Sequence, residues 1–458
     1  MAVHQVRSDP NEQALVDALV RAIREREGDL ASQTAIALAN GSHLQPGLPR
    51  MERPSRDAMH VVVDVLASAV PGPRSSARKV LQAALARCSD IGQLGSVVAL
   101  NGLDGVEDIG PRLYNHVRPA LATRFDSPAA VWRELHGGSW LGDAKVNGWE
   151  CQVHYGPQGV RLFSRTGREQ SRTWRGLAAS LATVAFRGSF IVEAEAVAVE
   201  PDSGVYLPHT DMARPGILHR AVGFDLLLLN GSDWTRRPCE ERIEELRLII
   251  QACKCRELVV SEHRRAEDLR SLEALHAAWL SAGYEGSIFN RPLAPYEAGE
   301  RSDSRVKVKP FDNLDAVLVA YNSRSDAYLA AVRDTVTGEL VPFAWVSVGI
   351  TAHDRSSLAA AKRHLATSGP TLGATSAEVA GAVDEWLMPS IVAEIGGDCI
   401  QPSLKFFCGR REDGRGWTLF GARFARVRED KPASDCSTVS DFLRIRPEMG
   451  VRPPRSGE

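Results

Sequence analysis

The stretch from Trp140 to His154, Trp-Leu-Gly-Asp-Ala-Lys-Val-Asn-Gly-Trp-Glu-Cys-Gln-Val-His, limits what this chain can fold into more than any other. An apolar lead-in runs up to Lys145, Gly148 permits a tight turn, and Glu150 to His154 alternates polar and apolar residues at the period of a strand. The pattern predicts a half-buried pair of strands with one lysine at its mouth. Lys145 is the candidate nucleophile. An amine with an ordinary pKa of about 10.4 attacks phosphorus or a carbonyl only where neighbouring cations or burial hold it unprotonated. Taken alone, Lys-x-x-Gly also fits a solvated lysine at a strand edge, so the choice rests on the residues downstream.

Phe190 to Val199 alternates as a strand, and Glu193 and Glu195 project from the same face of it. Paired carboxylates on so apolar a strand are costly unless a magnesium ion or a ribose is there to bind them. Gly223 to Gly231 reads as a buried strand closed by an Asn230-Gly231 turn. Its Phe224 is either one more core aromatic or a platform for a base, a contact that contributes ~1–3 kcal/mol. Val160 to Phe163 reads as a strand ending in the turn Ser164-Arg165-Thr166-Gly167, with Arg165 directed either to a ligand or to solvent. Beyond them, Glu285-Gly286 stands on a β-prone segment, a loop follows from Tyr296 to Ser302, and Arg305-Val306-Lys307-Val308-Lys309 sets two lysines on one strand face. Lys307 and Lys309 together would straddle a phosphate and depress the pKa of Lys145.

The 458 residues are enough for two to four domains, and 44% hydrophobic with 24% charged residues is ordinary globular composition. No apolar run is long enough for a membrane span, and Met1 to Asp17 carries no signal-peptide pattern, so a cytoplasmic protein is expected. The eight cysteines are scattered, and Cys253-Lys254-Cys255 lacks the spacing of a structural zinc site. With a net charge of only −2, any surface for nucleic acid must be local. One basic run comprises Arg50, Arg53, Arg56, Arg74, Arg78, Lys79 and Arg87, and a second comprises Arg410, Arg411, Arg415, Arg423, Arg426 and Arg428; each is either a binding face or a solvated one.

Helical spacing is expected over 11–27, Met59 to Ala69 and Ser75 to Arg87, the last capped by Ser75 or Ser76. Gly102 to Gly110 is either a phosphate-gripping glycine hairpin or a plain loop, and its three acids favour the loop. Cys239 to Ala252 and Ser261 to Ala282 read as helices outside the sheet. Ala316 to Tyr321, Ala327 to Asp334 and Phe343 to Val348 read as strands of a small barrel.

These segments follow one another as in the ATP-dependent DNA ligases, which the chain resembles from Pro119 to Lys431. Asp143-x-Lys145-x-Asn147-Gly148 is similar to that family's nucleotidyl-lysine motif, Lys-x-Asp-Gly-x-Arg, with Asn147 at the Asp position and Glu150 at the position of the Arg that helps hold the ribose. Arg118 to Ala122 resembles the Pro-Met-Leu-Ala segment that introduces the catalytic domain, and Ser164 to Gly167 the Ser-Arg-x-Gly turn. Glu193-Ala194-Glu195 is similar to Asp-Gly-Glu, and Phe224 to Gly231 to Phe-Asp-Leu-Leu-x-x-Asn-Gly. After Glu285-Gly286, Asn290 stands where the family usually has Lys. Ala422 to Lys431 resembles Pro-Arg-Phe-x-Arg-x-Arg-x-Asp-Lys, with Ala422 at the Pro position.

The resemblance implies a multi-domain chain. Residues 1–118 would form an α-helical DNA-binding domain, residues 119–310 an α+β nucleotidyltransferase (adenylation) domain, and residues 311–458 an oligonucleotide/oligosaccharide-binding (OB-fold) β-barrel. It implies ATP and Mg2+, nicked double-stranded DNA as substrate, and a monomer. It assigns Lys145 to the covalent nucleotide and Asp143, Arg165, Glu195, Phe224, Glu285, Lys307, Lys309, Arg428 and Lys431 to nucleotide binding, with Glu195 and Glu285 also the metal ligands. RNA ligases and mRNA-capping guanylyltransferases share Lys-x-x-Gly and the paired lysines, but the Arg-x-Asp-Lys barrel and the N-terminal helices weigh against each in turn. Asn147 and Glu150 also fit a paralogue that binds nicks or ends without sealing them.

Overall fold

The alternating apolar runs between residues 121 and 308 pair into two antiparallel-rich sheets. The computed structural model describes residues 17–22, 25, 28–40, 56–70, 73–184, 186–208, 211, 212, 214, 216–309, 312–367, 372, 376–410, 414–445, 447 and 451. The chain divides into two compact units, the first comprising residues 1–124, 131–307 and 451–458 and the second residues 125–130 and 308–450.

In the first unit, β1 (Leu121–Phe125), β2 (Trp140–Lys145), β9 (His263–Ala266), β10 (Gly286–Asn290) and β11 (Arg301–Val308) form one sheet in the order β1-β11-β10-β2-β9. The other sheet contains β3 (Trp149–Gly156), β4 (Gly159–Ser164), β5 (Phe190–Val199), β6 (Leu218–Leu229) and β7 (Ser232–Asp233) in the order β4-β3-β5-β6-β7, with β8 (Leu258–Val260) parallel to β6. Register sets the site: Gly286 lies opposite Lys145, and Glu150 and Gln152 lie opposite Glu195 and Glu193. The β6–β7 hairpin closes at Asn230 and Gly231, whose φ of +49° and +81° are the two positive values that such a two-residue turn requires.

One face of the second sheet, with Cys151, Val153, Phe190, Val192, Ala194 and Leu226, is buried against Leu177 and Leu181 and against Ile243, Leu246 and Ile249 of the helix Cys239–Cys253. Each valine, leucine, isoleucine or phenylalanine among them contributes ~1.5–3 kcal/mol on leaving water. The helix is fastened to β6 by Arg242, which donates to both carboxylate oxygens of Asp225 at 2.7 and 2.9 Å and to the carbonyls of Arg237 and Ala294. The polar residues of the opposite face are not left to water. Gln152 accepts from the Val117 amide at 3.0 Å and donates to the Val117 carbonyl at 2.6 Å, and His154 accepts from the Tyr114 amide at 3.0 Å. The segment before Pro119 therefore covers the polar face of β3. Burial pushes the His154 imidazole down to about 3.

Upstream, residues 17–22 are helical, and α1 (Gly28–Asn40), α2 (Arg56–Ala69), α3 (Arg74–Cys88) and α4 (Ile91–Asn101) share one core of Val62, Leu66, Leu81, Leu85, Leu94 and Val98. Residues 11–16, 23, 24, 26 and 27 of the expected first helix lie outside the described residues, as do Arg50, Arg53 and Arg411. Gly92 and Gly95 let α4 touch α1, since a Cβ on Gly95 would stand 3.1 Å from Ala35 Cβ and from the Ala31 carbonyl. The cap expected at Ser75 or Ser76 is instead Pro73, which makes no side-chain cap bond. Arg87 and Arg78 are not a free basic face: Arg87 donates to the carbonyls of Ile109 and Val106, and Arg78 pairs with Asp64 at 2.8 Å. The 102–110 segment is a loop with a 3-10 turn at Val106–Asp108. The helix expected over Ser261 to Ala282 is split. His263–Ala266 joins β2 as an edge strand, and the helix starts only at Leu269, where Asp268 and Ser271 form a reciprocal capping box.

The second unit is built on β12 (Asp312–Asn322), β13 (Ala327–Arg333), β14 (Leu340–Val346), β15 (Ala366–Thr367), β16 (Glu385–Gly397) and β19 (Arg423–Val427), with β17 (Cys399–Ser403) and β18 (Gly416–Phe420) as a separate pair. β12 is buried on both faces, Leu314, Ala316 and Leu318 entering one core and Val317, Val319 and Ala320 another, across a bulge between Leu318 and Ala320. All eight cysteines are free. Among the described residues no helix is long and apolar enough to cross a membrane.

Removing Arg242 strands a buried carboxylate, because Asp225 is 1% exposed. Arg242→Met should therefore destabilise the first unit by about 3–5 kcal/mol, read as a lowered denaturation midpoint. An unchanged midpoint would show that the fastening contributes nothing.

Candidate active site

Lys145 is the last residue of β2, and its carbonyl accepts from the Glu285 amide at 3.0 Å, which brings the Glu285 side chain to its amine. The two meet at 2.7 Å, the lysine side chain 21% and the glutamate 9% exposed. Gly148 turns the chain beneath them. A Cβ there would collide with the Ala196 carbonyl, so only glycine lets β3 begin at that point, and its amide is bonded by Glu195. Lys145, Glu195, Glu285 and Glu150 are thus gathered from β2, β5, the start of β10 and β3 within reach of one another's fields.

The electrostatics reverse the expectation for Lys145. Burial works to lower its pKa, but the carboxylates of Glu285, Glu195 and Glu150 outweigh it and hold the amine above its ordinary value. The carboxyls are displaced in turn. Burial lifts Glu195 to about 8 against the pull of Lys145, and burial with the nearby Glu150 lifts Glu193 to about 8. Glu150 is also raised by burial. The ammonium form of Lys145 is thus favoured by its partners, and the protonated forms of Glu195 and Glu193 by burial.

Lys307 and Lys309 do not supply the pKa-lowering charge. Lys307 is half-buried at the end of β11 and is felt by Glu150. Lys309 falls in the second unit, where its ammonium lies 3.2 Å from Asp398, both residues buried. In the same unit Arg428 donates to Asp315 at 2.7 Å and to Asp430, and Lys431 donates to Asp315 at 2.5 Å.

Of the other expected site residues, Asp143 is buried and accepts from the Ser261 hydroxyl, and burial raises its pKa. Arg165 pairs with Glu150 at 3.3 Å, with 60% of its side chain exposed. It stands at the turn where Gly167, at φ +78°, lets its amide bond back to the Ser164 carbonyl. Phe224 is half-buried, and the Arg305 guanidinium lies 5.1 Å from its ring centroid. Glu193 is buried beside Tyr296. It accepts from the Tyr296 hydroxyl at 2.7 Å, and the same hydroxyl accepts from the Ala120 amide at 2.9 Å.

Arg305, Tyr296 and Ser261 were not singled out from sequence. Only Arg305 carried a signal, since it shares the two-residue period of Lys307 and Lys309. Among the described residues no group of three or more His, Cys, Asp or Glu side chains is arranged to hold a metal ion.

The family model described as ATP dependent DNA ligase domain matches residues 119–309, and that described as ATP dependent DNA ligase C terminal region matches residues 322–431. The chain is 27% identical over 403 residues to a protein of Dictyoglomus turgidum named probable DNA ligase, covering 81% of this chain and 67% of that one. It is 25% identical over 412 residues to the DNA ligase of Acidianus ambivalens, covering 84% and 67%. Among solved structures, mycobacterial DNA ligase D complexed with ATP and MES aligns over 70% of this chain and 97% of that one, at 22% identity and a TM-score of 0.39. With two models of one family matched in order, the chain belongs to the ATP-dependent DNA ligases.

Proposed function

We propose that this ligase seals nicks in double-stranded DNA with Lys145 as the residue that carries the nucleotide. The observation that carries the assignment is the contact of the Lys145 amine with Glu285 at 2.7 Å, above a second carboxyl from β5. In the first step the Lys145 ammonium, held by Glu285, loses a proton to solvent. The freed amine then forms an N–P bond to the α-phosphorus of ATP as the Pα–O bond to pyrophosphate breaks. AMP then passes to the 5′-phosphate at the nick, and the 3′-hydroxyl displaces it as the strand is joined. Each step is phosphoryl transfer, governed by position and charge neutralisation.

Phe224 would carry the base, with Asp143 of β2 and Arg165 of the Ser164–Gly167 turn as further nucleotide contacts. Lys307 would neutralise the phosphates, as would Lys309, Arg428 and Lys431 once their present carboxylate partners are exchanged for phosphate oxygens. Glu195 and Glu285 fit Mg2+. They are oxygen donors on one side of a reacting lysine, and a carboxyl that burial has lifted to about 8 is one that a divalent cation would ionise. When bound, the ion would add positive charge at the α-phosphate. The further reading follows the same resemblance: residues 1–118 as a helical DNA-binding domain, 119–310 as the adenylation domain and 311–458 as an OB-fold barrel, in a monomeric cytoplasmic enzyme.

Incubation with α-labelled ATP and magnesium, followed by denaturing electrophoresis, tests the assignment. The parent protein should become labelled and Lys145→Ala should not, since its side chain holds no amine. Label retained by Lys145→Ala would remove the nucleophile assignment. Label from α-labelled GTP in preference to ATP would indicate a capping-type enzyme, and no label in the parent a nick-binding paralogue.

Lys309→Ala should slow adduct formation by at least ~10-fold, because one charge-assisted phosphate contact contributes roughly 1.5–3 kcal/mol. A smaller loss would confine Lys309 to its pairing with Asp398.

The pH dependence follows from Lys145 lying above its ordinary value. Below that pKa the free-amine fraction rises about tenfold per pH unit, so the rate of adduct formation should climb through pH 7 to 10 without a plateau. A rate that is level between pH 7 and 8 would mean that bound substrate has already lowered the lysine, contrary to the free-site electrostatics.

A further inference from the structure

Measured against the ligase pattern, the pocket has lost two cations. Asn290 stands where the family usually has Lys, and Glu150 where it has Arg. Yet the carboxylates around the pocket are not left without a counter-charge. Arg305 lies among them, raised above its ordinary pKa because Glu193, Asp225 and Asp143 outweigh the effect of its burial. Glu150 feels it as well.

Arg305 is held in place by the very residue that replaces the lysine. β10 and β11 are neighbours in the first sheet, and Arg305 Nη1 donates to Asn290 Oδ1 at 2.9 Å, with Asn290 only 6% exposed. A lysine at 290 would set an ammonium against that guanidinium, whereas the amide oxygen accepts from it and fixes its plane. The guanidinium in turn lies over the Phe224 ring, 5.1 Å from the centroid. With one face of the ring so occupied, a base has the other face to stack on.

We infer that the positive charge the family carries on β10 at position 290 has moved across one strand pair to Arg305 on β11, and that Arg305 is the positioning residue that fixes Phe224 as the platform for the base. This rests on the reading of Phe224 as base-stacking and of Lys145 as nucleotide carrier. Asn290 and Arg305 are then a coupled pair, and either change without the other is harmful. The planar guanidinium is needed to lie over the ring, which a point-like ammonium at 305 would do less well.

The test is a set of variants assayed by the α-labelled ATP adduct on the full chain, with KM for ATP and the maximal rate measured separately. Arg305→Met should raise KM about tenfold or more, the scale of one stacking or charge-assisted contact, while changing the maximal rate far less. Arg305→Lys should fall between it and the parent. Asn290→Lys alone should also raise KM, and the exchanged variant Asn290→Lys/Arg305→Met should recover the part of the loss that is due to charge, bringing it near Arg305→Lys and short of the parent. That recovery distinguishes a relocated charge from a residue needed only for folding.

If Arg305→Met does not fold, the exchanged variant and Arg305→Lys, which keep the charge count, decide the matter. An exchanged variant that folds but keeps the KM of Arg305→Met or of Asn290→Lys alone overturns the inference, as does an unchanged KM in folded Arg305→Met. A parent that forms no adduct overturns the underlying reading, and this inference with it. A parent that labels beside an indifferent Arg305→Met overturns this inference alone.

Discussion

The structure depends on a buried charge problem and on how it is solved. Lys145 sits where burial opposes its charge, among carboxyls that burial pushes toward neutrality. None of these groups is tolerable alone in a dry site, and each is made so by the others. The Lys145–Glu285 contact is the hinge of that balance, because it joins the end of β2 to the start of β10 through both backbone and side chain. The remainder of the first unit holds four strands close enough for the balance to exist. Gly148 supplies the tightest of those approaches.

The same balance recurs around the other cations. Arg165 lies on Glu150, Lys309 on Asp398, and Arg428 and Lys431 on Asp315. Each cation is thereby matched by a carboxylate within its own unit, which offsets part of the cost of taking charge out of water.

Strand identity was legible from sequence wherever period-two alternation was strong, as at Phe190–Val199 and in the buried run closed by Asn230-Gly231. The lysine and its acidic neighbours were legible as residue types in a fixed order. Their pairings were not, because partners across strands are decided by register and burial. The direction of the Lys145 shift was misread because Lys307 and Lys309 are near in sequence pattern, whereas Glu285 and Glu195 are near in space. The helix expected from Ser261 failed at His263–Ala266, where pairing with the edge of β2 overrode helical spacing. Arg305 looked like one more strand cation, since nothing local reveals an aromatic ring beneath it.

The cover over β3 bears on how this protein can be divided. Gln152 is bonded in both directions to Val117, and the His154 ring accepts from Tyr114, so the sheet that presents Glu195 is finished by a segment lying ahead of Pro119. The limits of the matched family region and the limits of a self-sufficient folding piece therefore differ. A fragment cut at residue 119 would expose an amide and an imidazole that are otherwise nearly sealed from solvent, the latter held neutral far below its usual range. The smallest piece that keeps this surface closed begins before Tyr114, so that part of the upstream segment belongs physically to the catalytic sheet.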